Sequence, residues 1–306
     1  MPFQEAQPDM RVSVIIPALN EEKKLLESLP VIRGQLRPED ELLVIDNGSS
    51  DQTAAVARSL GCNVISEAIR SRPKARNAGI ARAAGDLLFF LDADCLPKER
   101  WFHRMLEVFE DPTIGAVAGE IQMAEADNAL ERFLRLRGYL SQAVSFRHPF
   151  LPYGNTANVA YRRAVLNTIG GFDEKLPEGE DADLSWRMQL ETEYRLVIAS
   201  DAVVLHKSEL KPLAFLRQKR RHAYGAVLLY KKYAPYWKEP NRKLKEIYWE
   251  YRSIISRAIR YSTRWSIAHL GCMSYPNDDQ GYQLLIEIGE KWGRLEGTIR
   301  HRVWFV

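Results

Sequence analysis

The chain has 306 residues, 46% of them hydrophobic and 27% charged. That length and apolar content suit one large domain, or one domain with an appendage, and exclude a disordered, collagenous or disulfide-built chain. The net charge of +3 conceals an asymmetry: from Lys231 to the end there are 14 Lys and Arg against 8 Asp and Glu, so the rest carries −3, which argues against a nucleic-acid binder.

In chain order, Val12–Ile16 reads as a strand that breaks at Pro17, after which Asn20 caps a helix running to about Leu29. Glu41–Ile45 is a second strand; Ser50 then caps a helix that Gly61 closes, and Asn63–Ser66 is a short third strand. A helix from about Lys74 to Ala84 stops at Gly85. Leu87-Leu88-Phe89-Phe90-Leu91 has the unbroken apolar character of a strand buried on both faces, and it runs into Asp92-Ala93-Asp94. Pro97 is expected to open a helix over Lys98–Glu110, followed by a strand near Ala116–Ile121 and a helix over Leu130–Val144. Phe150–Tyr161, with Pro152, Gly154, Asn155 and Asn158, reads as a loop. Arg195–Ala199 and Ala202–Leu205 read as two short strands split by a turn at Ser200-Asp201. From Leu213 the pattern is helical, basic and aromatic. The alternation predicts an α/β fold, a parallel sheet flanked by helices, over residues 1–230, with a helical extension over 231–306.

Four strand ends carry polar clusters, the first three of which converge by topology: Pro17-Ala18-Leu19-Asn20-Glu21, Asp46-Asn47-Gly48-Ser49-Ser50-Asp51, the Asp92/Asp94 pair, and the Asp181 region. Parallel strands bring their carboxyl ends to one edge, where ligands of open α/β sheets bind. Paired carboxylates there suit Mg²⁺ or Mn²⁺ and, through it, a diphosphate; a helix-capping aspartate is the plainer reading. Asp46 or Asn47 would hydrogen-bond a base or ribose, or else form an Asx turn. Arg70, Arg72, Lys74 and Arg76 crowd a helix start, where cations oppose the helix dipole. A bound diphosphate would resolve that conflict; a solvated basic loop is the alternative. Glu178, Glu180, Asp181 and Asp183 cluster at another helix start. The dipole would keep Asp181 ionised as a general base, Glu180 could share its role, and Asp183 and Arg187 at i and i+4 pair structurally. His206, after Val203-Val204-Leu205, is a candidate metal ligand beside the aspartates.

Taken together, Val14–Glu21, Val44–Asp51, Ala75–Gly79, Phe90–Asp94, Gly170–Glu174 and Glu180–Leu184 resemble the family 2 glycosyltransferases of the GT-A fold over roughly residues 11–225. The resemblance implies a Rossmann-like, mostly parallel sheet and an inverting transfer from a nucleotide-diphosphate sugar, a UDP-sugar favoured, to a hydroxyl acceptor, with Mn²⁺ or Mg²⁺. It further implies Pro17, Ala18, Asn20, Glu21, Asp46 and Asn47 around the nucleotide. Asp92 would bridge ribose and metal, Asp94 and His206 would ligate metal, and Asp181 would be the base. Arg76 and Arg221 would meet the diphosphate, and Gly154, Asn155 and Asn158 the sugar or acceptor. Asn47 departs from the family's consecutive aspartates, and His222 stands where processive members often carry Trp.

A nucleotidyltransferase or pyrophosphorylase would place a Gly-rich basic loop after the first strand, where this chain has the acidic Asn20-Glu21; a non-enzymatic nucleotide-sugar-binding module is a second alternative. Residues 246–265 are amphipathic: Glu246, Glu250, Ser253, Arg257, Arg260 and Arg264 on one face, and Ile247, Tyr251, Ile254, Ala258 and Trp265 on the other. They suit packing on the catalytic domain or on a partner subunit, or peripheral membrane contact. The cysteines Cys62, Cys95 and Cys272 form no CxxC, so neither a zinc site nor a disulfide framework is indicated. The N-terminus lacks a signal-peptide pattern, and no run matches a membrane span. A cytoplasmic location, or the inner membrane face, is expected.

Overall fold

The computed structural model describes residues 10–125, 128–207, 210–237, 244–269, 278–303 and 305. In chain order the elements are β1 (Val12–Ala18), α1 (Glu22–Arg33), β2 (Glu41–Asp46), α2 (Thr53–Ser59), β3 (Asn63–Ser66), α3 (Arg72–Arg82), β4 (Leu87–Leu91), β5 (Cys95–Pro97) and α4 (Trp101–Val108). There follow β6 (Ile114–Met123), α5 (Ala129–Leu136), α6 (Gln142–Ser145), β7 (Asn158–Arg162), α7 (Arg163–Ile169), α8 (Glu180–Glu191), β8 (Arg195–His206), α9 (Pro212–Tyr233), α10 (Leu244–His269) and α11 (Asp278–His301). They form two compact units, Met1–Glu125 with Gly138–Ser208, and Ala126–Arg137 with Glu209–Val306. The boundary expected near residue 230 falls inside α9, and the units part after residue 208.

In the first unit an eight-stranded sheet runs β3-β2-β1-β4-β7-β6-β8-β5. The first four of these strands are mutually parallel, β7 is antiparallel to both β4 and β6, β8 is parallel to β6, and β5 is antiparallel to β8. The sheet is therefore mostly parallel, with two reversed strands. The apolar run of β4 is buried throughout and feeds both faces. Leu87, Phe89 and Leu91 join Val14, Ile16, Trp101 and Phe102 on one side; Leu88 and Phe90 join Ile15, Tyr161, Phe172 and Leu184 on the other. Alternation along a strand produces this split, and helices cover each face.

Several local expectations give way to tertiary context. β1 continues through Pro17 to Ala18, because its pairing with β4 stops at Ile15 and a missing N–H beyond that point costs no β1–β4 ladder bond. Pro97 ends the short strand β5 rather than opening a helix, and α4 begins at Trp101. The helix expected over Leu130–Val144 is broken after Arg137, with Gly138 and Leu140 at positive φ. Arg195–His206 is a single strand; the turn signal at Ser200-Asp201 marks an irregularity in its ladder with β6, between the pairs Gly119–Ala199 and Ile121–Val204.

The second unit is helical. Its α9 and α11 approach closely because Gly289, Gly293 and Gly297 recur every four residues along one face of α11. A Cβ at Gly293 would lie 2.0 Å from the Arg220 carbonyl oxygen, and one at Gly297 2.8 Å from Val227. On α10, Ile247 and Ile254 are buried, Arg257 pairs with Glu287, and Lys291 with Glu250 at 2.6 Å. The apolar face read from the sequence thus turns inward for the most part, while Trp265 stays half-exposed. Among the described residues no helix is long and apolar enough to cross a membrane. Gly293→Ala should lower unfolding stability by about 1–3 kcal/mol, despite alanine's better helix propensity, because the methyl has no space. A thermal or urea melt checks this, and an unchanged midpoint would mean that the helices can separate without loss.

Candidate active site

Register brings the strand ends together. Ala18 pairs with Asp46 across β1 and β2, and Ile15 pairs with Phe90 across β1 and β4. The loops after β1 and β2 are then stapled. Asn20, at φ +57°, accepts the Ser50 backbone N–H at 2.8 Å through Oδ1, and its own N–H donates to Ser49 Oγ at 2.9 Å. Asn20 is therefore a cross-loop tie rather than the cap of α1, whose N-cap is Glu21. Asp46 accepts the Ser49 N–H, three residues on, at 3.2 Å, and the residue is half-buried. The buried amide of Asn47 is engaged inside the fold: Nδ2 donates to the carbonyls of Glu67 and Ile69, and Oδ1 accepts the Ser71 N–H. Its side chain fixes the loop leading to α3.

The acidic pair divides in two directions. β5 follows Asp94 directly and runs antiparallel to β8, so Cys95 lies opposite His206. The Lys207 N–H closes the junction on the Asp94 carbonyl at 2.9 Å. This ladder sets His206 Nε2 3.4 Å from Asp94 Oδ1, and Lys24 Nζ stands 3.4 Å from Asp94 Oδ2 and 3.2 Å from Glu21. Burial, with Asp92 adding to it, raises the Asp94 pKa, while His206 and Lys24 oppose the rise. Donor atoms of Asp94, Cys95 and His206 lie within 4.8 Å of one another. Burial, with Asp94 and Asp92 beside it, pushes the Cys95 thiol well up, and a hard Mn²⁺ or Mg²⁺ prefers the oxygen and imidazole donors to sulfur. His206 Nδ1 is buried without a hydrogen-bond partner. A carboxylate oxygen and an imidazole nitrogen remain, a donor set that fits a divalent ion of the Mn²⁺ or Mg²⁺ kind.

Asp92 faces elsewhere. Its carboxylate accepts Arg76 Nη2 at 3.2 Å, and Arg76 Nη1 donates to Glu180 at 2.8 Å. Arg76 is 2% exposed, near the Phe172 ring, with Nε unpartnered. Arg72 pairs with Glu178 at 2.8 Å, and Lys74 with Glu174 at 3.5 Å. Arg72, Lys74 and Arg76 at the start of α3 thus meet acids of the 174–180 segment, and Arg76 also meets Asp92. Asp183 pairs with Arg187 as expected, at 2.9 Å. Within Glu178–Asp183 this leaves Asp181 as the acid with no ion pair among the described residues. Burial, and next the Glu180 carboxylate, raise its pKa to about 7, against the pull of the Ala182 N–H, Arg76 and Arg72. Desolvation and Glu180 thus oppose the helix end expected to keep Asp181 ionised.

Asn155 lies in the loop before β7, where its Oδ1 accepts the Ala157 N–H and its own N–H donates to Gln142. Gly154 donates to Ser185 on α8 at 3.1 Å. Asn158 is fully buried on β7, where it ties Trp101 to the carbonyls of Glu120 and Ala202 at the β6–β8 irregularity, a structural role rather than a ligand contact. Arg221 belongs to the helical unit, on α9. Sequence reading missed Lys24 and the partners of Arg72 and Arg76; the spacing of Arg72 and Arg76, four apart, against Glu178 and Glu180, two apart, was the available signal.

Residues 13–170 match the family described as glycosyl transferase family 2. The pre-mycofactocin glycosyltransferase of Mycobacterium tuberculosis is 32% identical over 64% of this chain, which covers 42% of that relative's length. Glycosyltransferase AglE of Haloferax volcanii is 28% identical over 68% of this chain and 70% of its own. Among solved structures, the mannosyltransferase PcManGT of Pyrobaculum calidifontis, in complex with GDP-Man and Mn²⁺, superposes with a TM-score of 0.66 at 19% identity, over 94% of this chain and 87% of that one. Glucosyl-3-phosphoglycerate synthase of Mycobacterium tuberculosis, in complex with Mn²⁺, UDP-glucose and phosphoglyceric acid, gives 0.51 at 22% identity, over 73% and 79%. With the family matched across more than half its length and the GT-A fold repeated in these structures, this chain belongs to glycosyl transferase family 2.

Proposed function

We propose that the chain transfers a sugar from a nucleotide-diphosphate donor to a hydroxyl acceptor with inversion, using Asp181 as general base. The observation that carries this reading is the position of Asp181: among the described residues it has no ion pair, within an otherwise ion-paired acidic run and one residue from Glu180, which Arg76 ties to Asp92. A base is most effective with a pKa near the working pH, and Asp181 is raised to about 7. The acceptor hydroxyl would lose its proton to an Asp181 carboxylate oxygen as it attacks the anomeric carbon. Mn²⁺ or Mg²⁺ held by Asp94 and His206 would neutralise charge on the departing diphosphate. Arg76 and Glu180 act on the site's own carboxylates: they fix Asp92 and set the charge beside Asp181. Pro17, Ala18, Glu21 and Asp46 would flank the nucleotide, with Asn20 and Asn47 holding the loops in place. Asn155 would face the sugar or acceptor and Arg221 the diphosphate; a UDP-sugar is the first donor to test.

Asp181→Asn, with donor and metal saturating, should reduce nucleotide diphosphate release by about 10²–10⁴-fold, as expected for loss of a general base, and leave donor binding intact. Chelation should abolish release, and Mn²⁺ should restore it. Near-normal turnover of Asp181→Asn would remove the assignment, and release of pyrophosphate instead would favour a nucleotidyltransferase.

Peripheral contact with an anionic membrane, and with it a lipid-linked acceptor, is the finer reading of α10. It is supported by the exposed Tyr248, Trp249, Ile255, Ile259 and Ile267, interleaved with exposed Lys245, Arg252, Arg260 and Arg264. Ile255→Ser with Ile259→Ser should abolish flotation with phosphatidylglycerol vesicles; equal flotation of wild type and variant would place any contact elsewhere.

A further inference from the structure

Lys24 is a cation placed beside the candidate metal ligands against local preference. It is the third residue of α1, whose N-cap is Glu21. A cation in the first turn of a helix opposes the dipole, so the helix itself gains nothing from it. The neighbouring Lys23 is exposed to solvent. The Lys24 side chain is instead 32% exposed and lies between two acids, with Nζ 3.2 Å from Glu21 Oε2 and 3.4 Å from Asp94 Oδ2.

The helix is fixed to the acidic turn at two further points. Buried Ser28, one turn on from Lys24, donates its hydroxyl to the Ala93 carbonyl at 3.0 Å. Glu27 pairs with Lys207, the residue after His206. Lys24, Glu27 and Ser28 share a helix face by their spacing of three and four residues, and Leu25, Leu29 and Ile32 bury the same helix in the core. Lys24 is therefore presented to Asp94 by a rigid element. The two oxygens of Asp94 have different partners: Oδ1 faces His206 Nε2 at 3.4 Å, and Oδ2 faces the ammonium. A divalent ion on Asp94 and His206 would share its carboxylate with a fixed positive charge. Such like charges repel, and more strongly where water is partly excluded.

We propose that Lys24 is the counter-ion of the metal site: it balances Asp94 when no ion is held, competes with the ion for that carboxylate, and keeps ion binding weak enough for exchange. The inference rests on the reading of Asp94 and His206 as metal ligands. The test is calorimetric titration of the full chain with Mn²⁺ alone, at about pH 8, where an ordinary His is neutral and ordinary carboxylates are ionised. Lys24→Met should bind Mn²⁺ at least about tenfold more tightly than wild type, since one unit charge has left a cation site. Lys24→Arg keeps the charge and should bind close to wild type. Mn²⁺ should also raise the melting temperature of Lys24→Met by more than that of wild type, because tighter binding to the native state stabilises it further. A lysine that merely orients Asp94 would give the opposite sign. Weaker or unchanged Mn²⁺ binding by Lys24→Met, or no binding by either protein, would therefore overturn the inference. Asp94→Asn separates the two readings. If it binds Mn²⁺ as well as wild type does, the ligand assignment fails and the counter-ion role with it; if it loses the ion while Lys24→Met gains nothing, the role of Lys24 alone fails.

Discussion

A guanidinium enclosed between two carboxylates is the constraint on which the site depends. Arg76 reaches Asp92 at the end of β4 and Glu180 at the start of α8, two segments more than eighty residues apart in the chain. Removing one partner from a buried pair such as Arg76–Glu180 costs about 3–5 kcal/mol, because the other charge is left in low dielectric. The side chain is engaged through both of its Nη atoms. Its work is to join the acidic motif of the sheet to the acidic motif of the helix and to fix the charge that Asp181 experiences.

The same economy appears at the other aspartate. Asp94 is the last residue before β5, and the antiparallel pairing of that three-residue strand with β8 delivers His206 to it. Backbone hydrogen bonding, rather than any local feature around residue 206, thus creates the carboxylate–imidazole pair. Arg76 draws Asp92 toward α8, and β8 draws His206 toward Asp94. The two neighbouring aspartates therefore serve different partners: Asp92 the buried Arg76, and Asp94 His206 with Lys24.

Much of this was legible because it rests on strong local signals. The five-residue apolar run of β4, the polar residues closing β1 and β2, and the alternation of strand and helix patterns follow directly from burial and turn chemistry. What sequence reading missed came from distant partners. The cations of α3 looked unanswered because Glu174, Glu178 and Glu180 meet them only in the folded chain. Asn20 looked like a helix cap and Asn47 like a ligand contact, since nothing local reveals that both are tied across loops. Pro97 looked like a helix opener until the partner strand β8 claimed it. The four-residue glycine spacing of α11 was visible in the chain, yet it gained meaning only from the α9 backbone against it.

The proposed base is Asp181, with its protonation set by the Arg76–Glu180 arrangement. The pH dependence of kcat/KM for sugar transfer, at saturating metal, tests this most directly. Since the base must be deprotonated, wild-type activity should fall as pH drops through about 7, the value to which Asp181 is raised. Glu180→Gln removes the neighbouring negative charge, so the midpoint should move to lower pH. An acid limb near the ordinary carboxylate range in wild type, or a midpoint that does not move in Glu180→Gln, would contradict it.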